Sequence, residues 1–176
     1  MFKKVLLVLL ALIAAFVIYV ALQPDAYEVE RSVTIAAPAD QVFENVNNLR
    51  KWESWSPWAM IDPDAKIAFE GPEVGKGAAM TWNGNDEVGE SKMTVVESDP
   101  DTNVNIKVSF TRPFEGDTNS AFSFTPKGDQ TDDAWSMHGT HSFMEKVFCV
   151  VLNGLGMMGK DIDKGLSQLK SVAEQS

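Results

Sequence analysis

From Val5 to Leu22 no residue is charged: thirteen are Val, Leu, Ile or Phe, four are Ala, and one is Tyr19. A helix of that length measures roughly 27 Å, close to the hydrocarbon thickness of a bilayer. Its side chains favour insertion by roughly 4–8 kcal/mol in total. The run is longer than the roughly 7–15 apolar residues of a cleaved leader, and Ala21-Leu22-Gln23-Pro24 offers no small-x-small cleavage site. The pattern predicts a membrane anchor over residues 1–23, with Val5 and Leu22 bounding its apolar part. Lys3 and Lys4 precede the run, and Asp25, Glu28 and Glu30 follow it. The positive-inside rule then places the N-terminus in the cytoplasm. The expected arrangement is single-pass in the inner (cytoplasmic) membrane, with the remainder on the periplasmic or extracytoplasmic side. Residues 24–26 read as a linker, because Pro24 disfavours helical geometry in the residue before it.

Beyond the linker the period changes to two. Tyr27, Val29, Arg31, Val33 and Ile35 share one face, and Glu28, Glu30, Ser32 and Thr34 the other, which predicts a half-buried strand. Pro38 suits the first position of a helix, and Val42, Phe43, Val46 and Leu49 continue at helical spacing. Trp52, Trp55 and Trp58 recur every third residue, predicting a second short helix or 3₁₀ turn with tryptophan on one side. Strand patterns follow at 66–70, 78–83, 91–98, 103–110, 119–125 and 131–140, separated by Gly, Pro, Asn and Asp breakers. Near the C-terminus Phe143–Leu152 reads as a short helix loosened at Gly154 and Gly156. Ile162, Leu166, Leu169 and Val172 then form one apolar stripe. The predicted fold class is α+β: a seven-stranded antiparallel sheet curled around a long C-terminal helix, over residues 27–176.

Charge narrows the partners. Of 15 basic residues, Lys3 and Lys4 lie ahead of the apolar run, leaving 13 against 25 acidic residues and a formal −12 for the rest. Such a surface repels phosphate backbones, so no nucleic acid partner is expected. Cys149 is the only cysteine, which rules out an internal disulfide and a cysteine-rich zinc site, and its apolar neighbours predict a small buried hydrophobe. His138 and His141 sit three apart on or beyond a strand, facing opposite ways, a poor metal pair. Ser136 beside His138 fails as a triad for the same reason. Glu70 and Asp133 are the candidates for a buried acid, but carboxylates at strand ends are usually solvated, and that is the expectation for both. The glycines near Gly75 and Gly77 lack the Lys-Ser/Thr of a phosphate loop. No catalytic residue, metal or cofactor is singled out, and an enzyme is the less favoured expectation.

The segment Tyr27-Glu28-Val29-Glu30-Arg31-Ser32-Val33-Thr34-Ile35-Ala36-Ala37-Pro38, followed by Val42-Phe43 and Trp52-Glu53-Ser54-Trp55-Ser56-Pro57-Trp58, resembles the polyketide cyclase/dehydrase branch of the START-like (SRPBCC) superfamily. Gly75-Lys76-Gly77, Gly84-Asn85, Pro113-Phe114-Glu115-Gly116, Trp135–Gly139, Gly159-Lys160-Asp161 and Lys164-Gly165-Leu166 sit where similar bacterial members carry such motifs. The resemblance runs from Tyr27 to the end of the chain. It implies a helix-grip fold with a deep cavity for hydrophobic or lipid-like molecules, and it implies no single reaction.

Placed in such a fold, the inward phase of the strands supplies cavity-lining candidates: Phe69, Met80, Trp82, Met93, Ile106, Val108, Phe110, Phe122, Phe124, Trp135 and Met137, along with Val29 and Val95. Trp55 joins them from the tryptophan repeat as a gate or a packing residue. Arg31 falls on an apolar face, where it can bind an acidic ligand head, stack on an aromatic ring or reach out to the edge. The expected function is membrane-tethered binding of an apolar small molecule or lipid. The alternatives are an enzyme of the cyclase, dehydrase or hydrolase type, and a protein-interaction or stress-related module using the Trp52–Trp58 surface.

Overall fold

In a computed structural model, which describes residues 1–113 and 115–175, the change of period after Asp25 marks the change from helix to sheet. Phe114, part of the Pro113–Gly116 motif, and Ser176 lie outside the described residues. Helix α1 spans Phe2–Ala21, and strand β1 (Ala26–Ile35) opens the sheet. Helix α2 (Ala39–Asn47) and a 3₁₀ helix (Leu49–Ser54) follow. The strands β2 (Lys66–Glu70), β3 (Ala79–Asn83), β4 (Glu90–Asp99), β5 (Asn103–Arg112), β6 (Gly116–Lys127) and β7 (Gln130–Thr140) complete the sheet, and α3 (Phe143–Leu152) and α4 (Gly154–Ala173) end the chain.

The sheet has seven strands in the order β1-β7-β6-β5-β4-β3-β2, every pair antiparallel. Because β1 and β2 lie at opposite edges, the chain between them must cross the whole sheet. It does so through α2, the 3₁₀ helix and residues 55–65, which cover the inward face. Bulges in β4 between Glu90 and Ser91 and between Val95 and Glu97 bend that strand. Helix α4 packs on β1 and α2, completing a helix-grip arrangement.

Where α2, the 3₁₀ helix and the second half of α4 meet the sheet, the interior is solid. Trp135 stacks on Phe122 at 4.8 Å between ring centres, and Trp52, Trp55 and Trp58 meet Trp135 edge-on at 5.9–6.2 Å. The three fully buried tryptophans of this cluster each satisfy their indole N–H: Trp52 donates to the Val46 carbonyl, Trp55 to the Asn45 carbonyl and Trp135 to Ser120 Oγ. Ile162, Leu166 and Leu169 of α4 close this cluster from above. The approach is close enough that a Cβ on Gly165 would lie 2.5 Å from Trp135 Cζ3 and 3.2 Å from Pro57. Gly165→Val is therefore expected to cost about 1–3 kcal/mol through overpacking, read as a lowered urea midpoint.

Two local expectations change, and one wall candidate is more exposed than its phase suggests. The break before the long helix is at Asn153, which holds the left-handed conformation (φ 54°) that asparagine tolerates, so Gly154 and Gly156 belong to α4. Trp52 and Trp55 point inward and are buried, so they form no exposed interaction face; Trp58 is half-buried. Phe69 lies on the edge strand β2, all of whose residues are exposed, and its ring carries the Arg50 guanidinium 4.3 Å above it.

Candidate functional site: two apolar hollows beside an aromatic plug

Away from the plug the grip is open. One cavity, of about 400 Å³, lies between the 3₁₀ helix, residues 56–65 and strands β2–β4. Leu49, Trp58, Met60, Ile67, Met80 and Trp82 form much of its wall. A second, of about 210 Å³, lies beneath the end of α3 and the start of α4, against β5–β7. Val108, Phe110, Met137, Phe148, Met157 and Met158 contribute to it. Trp52, Trp58, Trp82, Val88 and Met93 line both cavities, so the two hollows adjoin across a shared set of side chains.

Of the residues marked by strand phase, Phe69, Met80, Trp82, Met93, Val108, Phe110, Trp135 and Met137 stand in one or both walls. Trp55, Ile106, Phe122, Phe124 and Arg31 line neither. Trp55 and Phe122 are spent in the plug, Ile106 is buried in the core, and Phe124 is buried edge-on against Phe43. Arg31 leaves the interior altogether. Its guanidinium runs over Gly159, where a Cβ would lie 2.5 Å from Nη2, to pair with Asp163 and donate to the Glu30 carbonyl.

Strand phase missed the wall residues that come from irregular or helical chain: Leu49, Trp58, Met60, Val88, Phe148, Met157 and Met158. The only sequence signal for them is the clustering of methionine and tryptophan at 52–60 and 157–158.

The polar groups on the walls are few. Trp82 Nε1 is buried with no partner among the described residues. Ser120 Oγ already accepts from Trp135. The Asp161 carboxyl borders the second cavity; burial pushes its pKa above the ordinary value, and Lys164 opposes the shift. Glu53 and Asp62 border the first cavity.

Two other groups invite a chemical reading. Cys149 Sγ lies 3.6 Å from His141 Nε2, and the His141 ring stacks on Tyr27 at 4.1 Å. Burial pushes the thiol up and the imidazole down, so the pair rests as thiol and neutral imidazole rather than as a reactive thiolate. Cys149 is half-buried, not fully buried as its neighbours suggested, because α3 turns much of its apolar surface outward. Asp133 corrects a second expectation. It is fully buried, with neither carboxylate oxygen partnered among the described residues, and burial pushes its pKa up to about 8. It shares the inward phase of β7 with Thr131, Trp135 and Met137, and it lines neither cavity. Among the described residues no group of three or more His, Cys, Asp or Glu is placed to hold a metal ion.

The fold recurs among solved structures. A Staphylococcus aureus protein of unknown function superposes with a TM-score of 0.65 at 10% identity, covering 87% of this chain and 96% of its own. A Mesorhizobium loti protein gives 0.63 at 14% identity, covering 85% and 98%. The Zhui aromatase/cyclase of a Streptomyces species gives 0.56 at 19% identity, covering 85% and 94%. No curated protein matches the chain. The sequence profile of one family, described as polyketide cyclase/dehydrase and lipid transport, matches residues 26–174. Sheet order, helix grip and this match agree, and the chain belongs to that family.

Proposed function

We propose that this protein holds a hydrophobic or lipid-like small molecule in its adjoining cavities, tethered to a membrane by α1, and that it does so without catalysis. The supporting observation is the pair of hollows walled by Trp, Met, Phe and Val. About 400 Å³ of dry, enclosed space would cost about 10 kcal/mol at 24 cal/mol per Å³. That matches the total stability of an ordinary domain. The hollow opens to solvent, and an apolar molecule that displaces poorly bonded water from such walls binds favourably. The Trp82 N–H, unpartnered among the described residues, and the Asp161 carboxyl supply polar contacts that orient it. Helix α1 is long and apolar enough to cross a membrane. With Lys3 and Lys4 before it, the domain lies on the extracytoplasmic face of the inner membrane.

Blocking the hollow tests this reading. Ala59 and Val88 are half-buried wall residues, so Ala59→Phe with Val88→Phe fills space rather than straining packed core. The full chain in phosphatidylcholine nanodiscs is titrated with parinaric acid, a fluorescent polyene fatty acid, while energy transfer from tryptophan is followed. Wild type is expected to bind at least about tenfold more tightly than the double variant, a difference of about 1.4 kcal/mol. Equal titration curves would remove the cavity as the binding site.

Asp161 favours one second reading, an enzyme acting on an apolar substrate, with this wall carboxyl, whose pKa burial raises above the ordinary value, as the acid. Asp161→Asn would then abolish turnover of a polyketide-like substrate while leaving its binding intact.

A further inference from the structure

Helix α3 is packed inside out. Its only buried residue is Lys146, while Met144 and Val151 are 63% and 61% exposed and Phe148 and Leu152 are also exposed. These four fall on one helical face. Leu155 and Met157 extend the apolar surface into the first turn of α4, and from Val147 to Gly159 no residue is charged. A contiguous apolar patch on an otherwise acidic domain marks a surface that is covered in use.

What covers it follows from where α3 is held. Helix α3 packs against α1. Lys146 Nζ donates to the Gln23 carbonyl at 2.8 Å and pairs with the Asp25 carboxylate. Both partners lie within four residues of the last turn of α1, so α3 sits where the chain leaves the bilayer. The same contacts neutralise the one cation of α3, leaving an apolar surface suited to acyl chains rather than to charged headgroups. Phe148 and Met157 belong both to this patch and to the wall of the second cavity.

We propose that the α3–α4 corner is seated in the lipid leaflet that α1 enters, with the second cavity opening onto it, so that the bound molecule passes between leaflet and cavity without crossing water. This deepens the proposed function and rests on α1 being a membrane helix.

The test places nitroxide labels on the full chain in phosphatidylcholine vesicles, with Cys149→Ser as background. Met144→Cys and Val151→Cys report on the patch, and Leu12→Cys reports on the middle of α1. Asp129→Cys lies in the β6–β7 turn, roughly 33 Å along β7 from its membrane-proximal end. Each label is challenged with oxygen, which concentrates in hydrocarbon, and with a water-soluble nickel chelate. The proposal expects oxygen to dominate at 12, 144 and 151, and nickel at 129. Oxygen dominance at 12 with nickel dominance at 144 and 151 would leave the anchor standing and overturn the docking. Protection of 144 and 151 from both reagents would also overturn it, assigning the patch to a protein partner or a second copy. Nickel dominance at 12 would remove the anchor and the docking together.

Discussion

Asp133→Leu is expected to stabilise the folded domain by about 4 kcal/mol at pH 7 and to flatten the fall of stability with rising pH. In the unfolded chain this carboxyl releases its proton near the ordinary value of 3.8, whereas in the fold it keeps the proton until about pH 8. Between those limits the folded state binds more protons than the unfolded one. Stability therefore declines as pH rises from about 4 to about 8 and levels off above. From 3.8 to 7 is roughly three units at about 1.4 kcal/mol each, which gives the expected magnitude. The cause is local: Asp133 sits between Val33 on β1 and Phe124 on β6, with no partner in reach among the described residues. Leucine gives up no hydrogen bond there. Asp117, held low by Ser109 and Lys107, and Asp132, held low by Lys127 and Thr34, contribute stability that is lost only as pH falls below the carboxylate range. His141, lowered by burial, titrates in both proteins and cancels in their difference. Urea unfolding of the full chain in detergent at pH 5 and pH 8 checks this. An unchanged pH slope in the variant would show that Asp133 is hydrated or paired in solution.

The second large effect belongs to the plug. Trp135→Ala is expected to cost about 3–5 kcal/mol, measured as a lowered urea midpoint. Its ring is fully buried, stacks on Phe122, meets three further tryptophans edge-on and fills the space above which Gly165 passes. Its removal also strips Ser120 Oγ of its donor and merges the plug site with the second cavity. Trp82→Ala provides the contrast, because Trp82 borders both hollows, is half-buried and has no partner for its N–H among the described residues. It is expected to cost less than about 2 kcal/mol, since its ring already faces open space on one side. Similar losses for the two variants would mean that the hollows close in solution.

The strands were legible because alternation survives wherever one face is wet: 66–70 matches β2 to the residue, and the other strands differ by a few residues at their ends. Asp133 was legible in principle, since it shares the phase of Thr131, Trp135 and Met137. The general habit of strand-end carboxylates pointed the other way, and the structure follows the phase. Arg31 could not be placed from its own strand, because its route depends on Gly159 in a helix more than a hundred residues later. The division of the interior into plug and hollow was equally hidden. Phe122 and Met137 carry the same inward signal, but only the path of residues 55–65 and of α4 decides which is packed against and which faces space. Helix α3 defeated the pattern outright. Its apolar run reads as core, yet Lys146 is the residue buried, since its partners are the carbonyl and carboxylate just beyond α1.

That apolar space exists to be occupied is tested most directly by native mass spectrometry of the full chain ejected from phosphatidylcholine nanodiscs. Wild type should carry an apolar adduct that Ala59→Phe with Val88→Phe lacks. Identical ligand-free masses for both proteins would contradict the binding role.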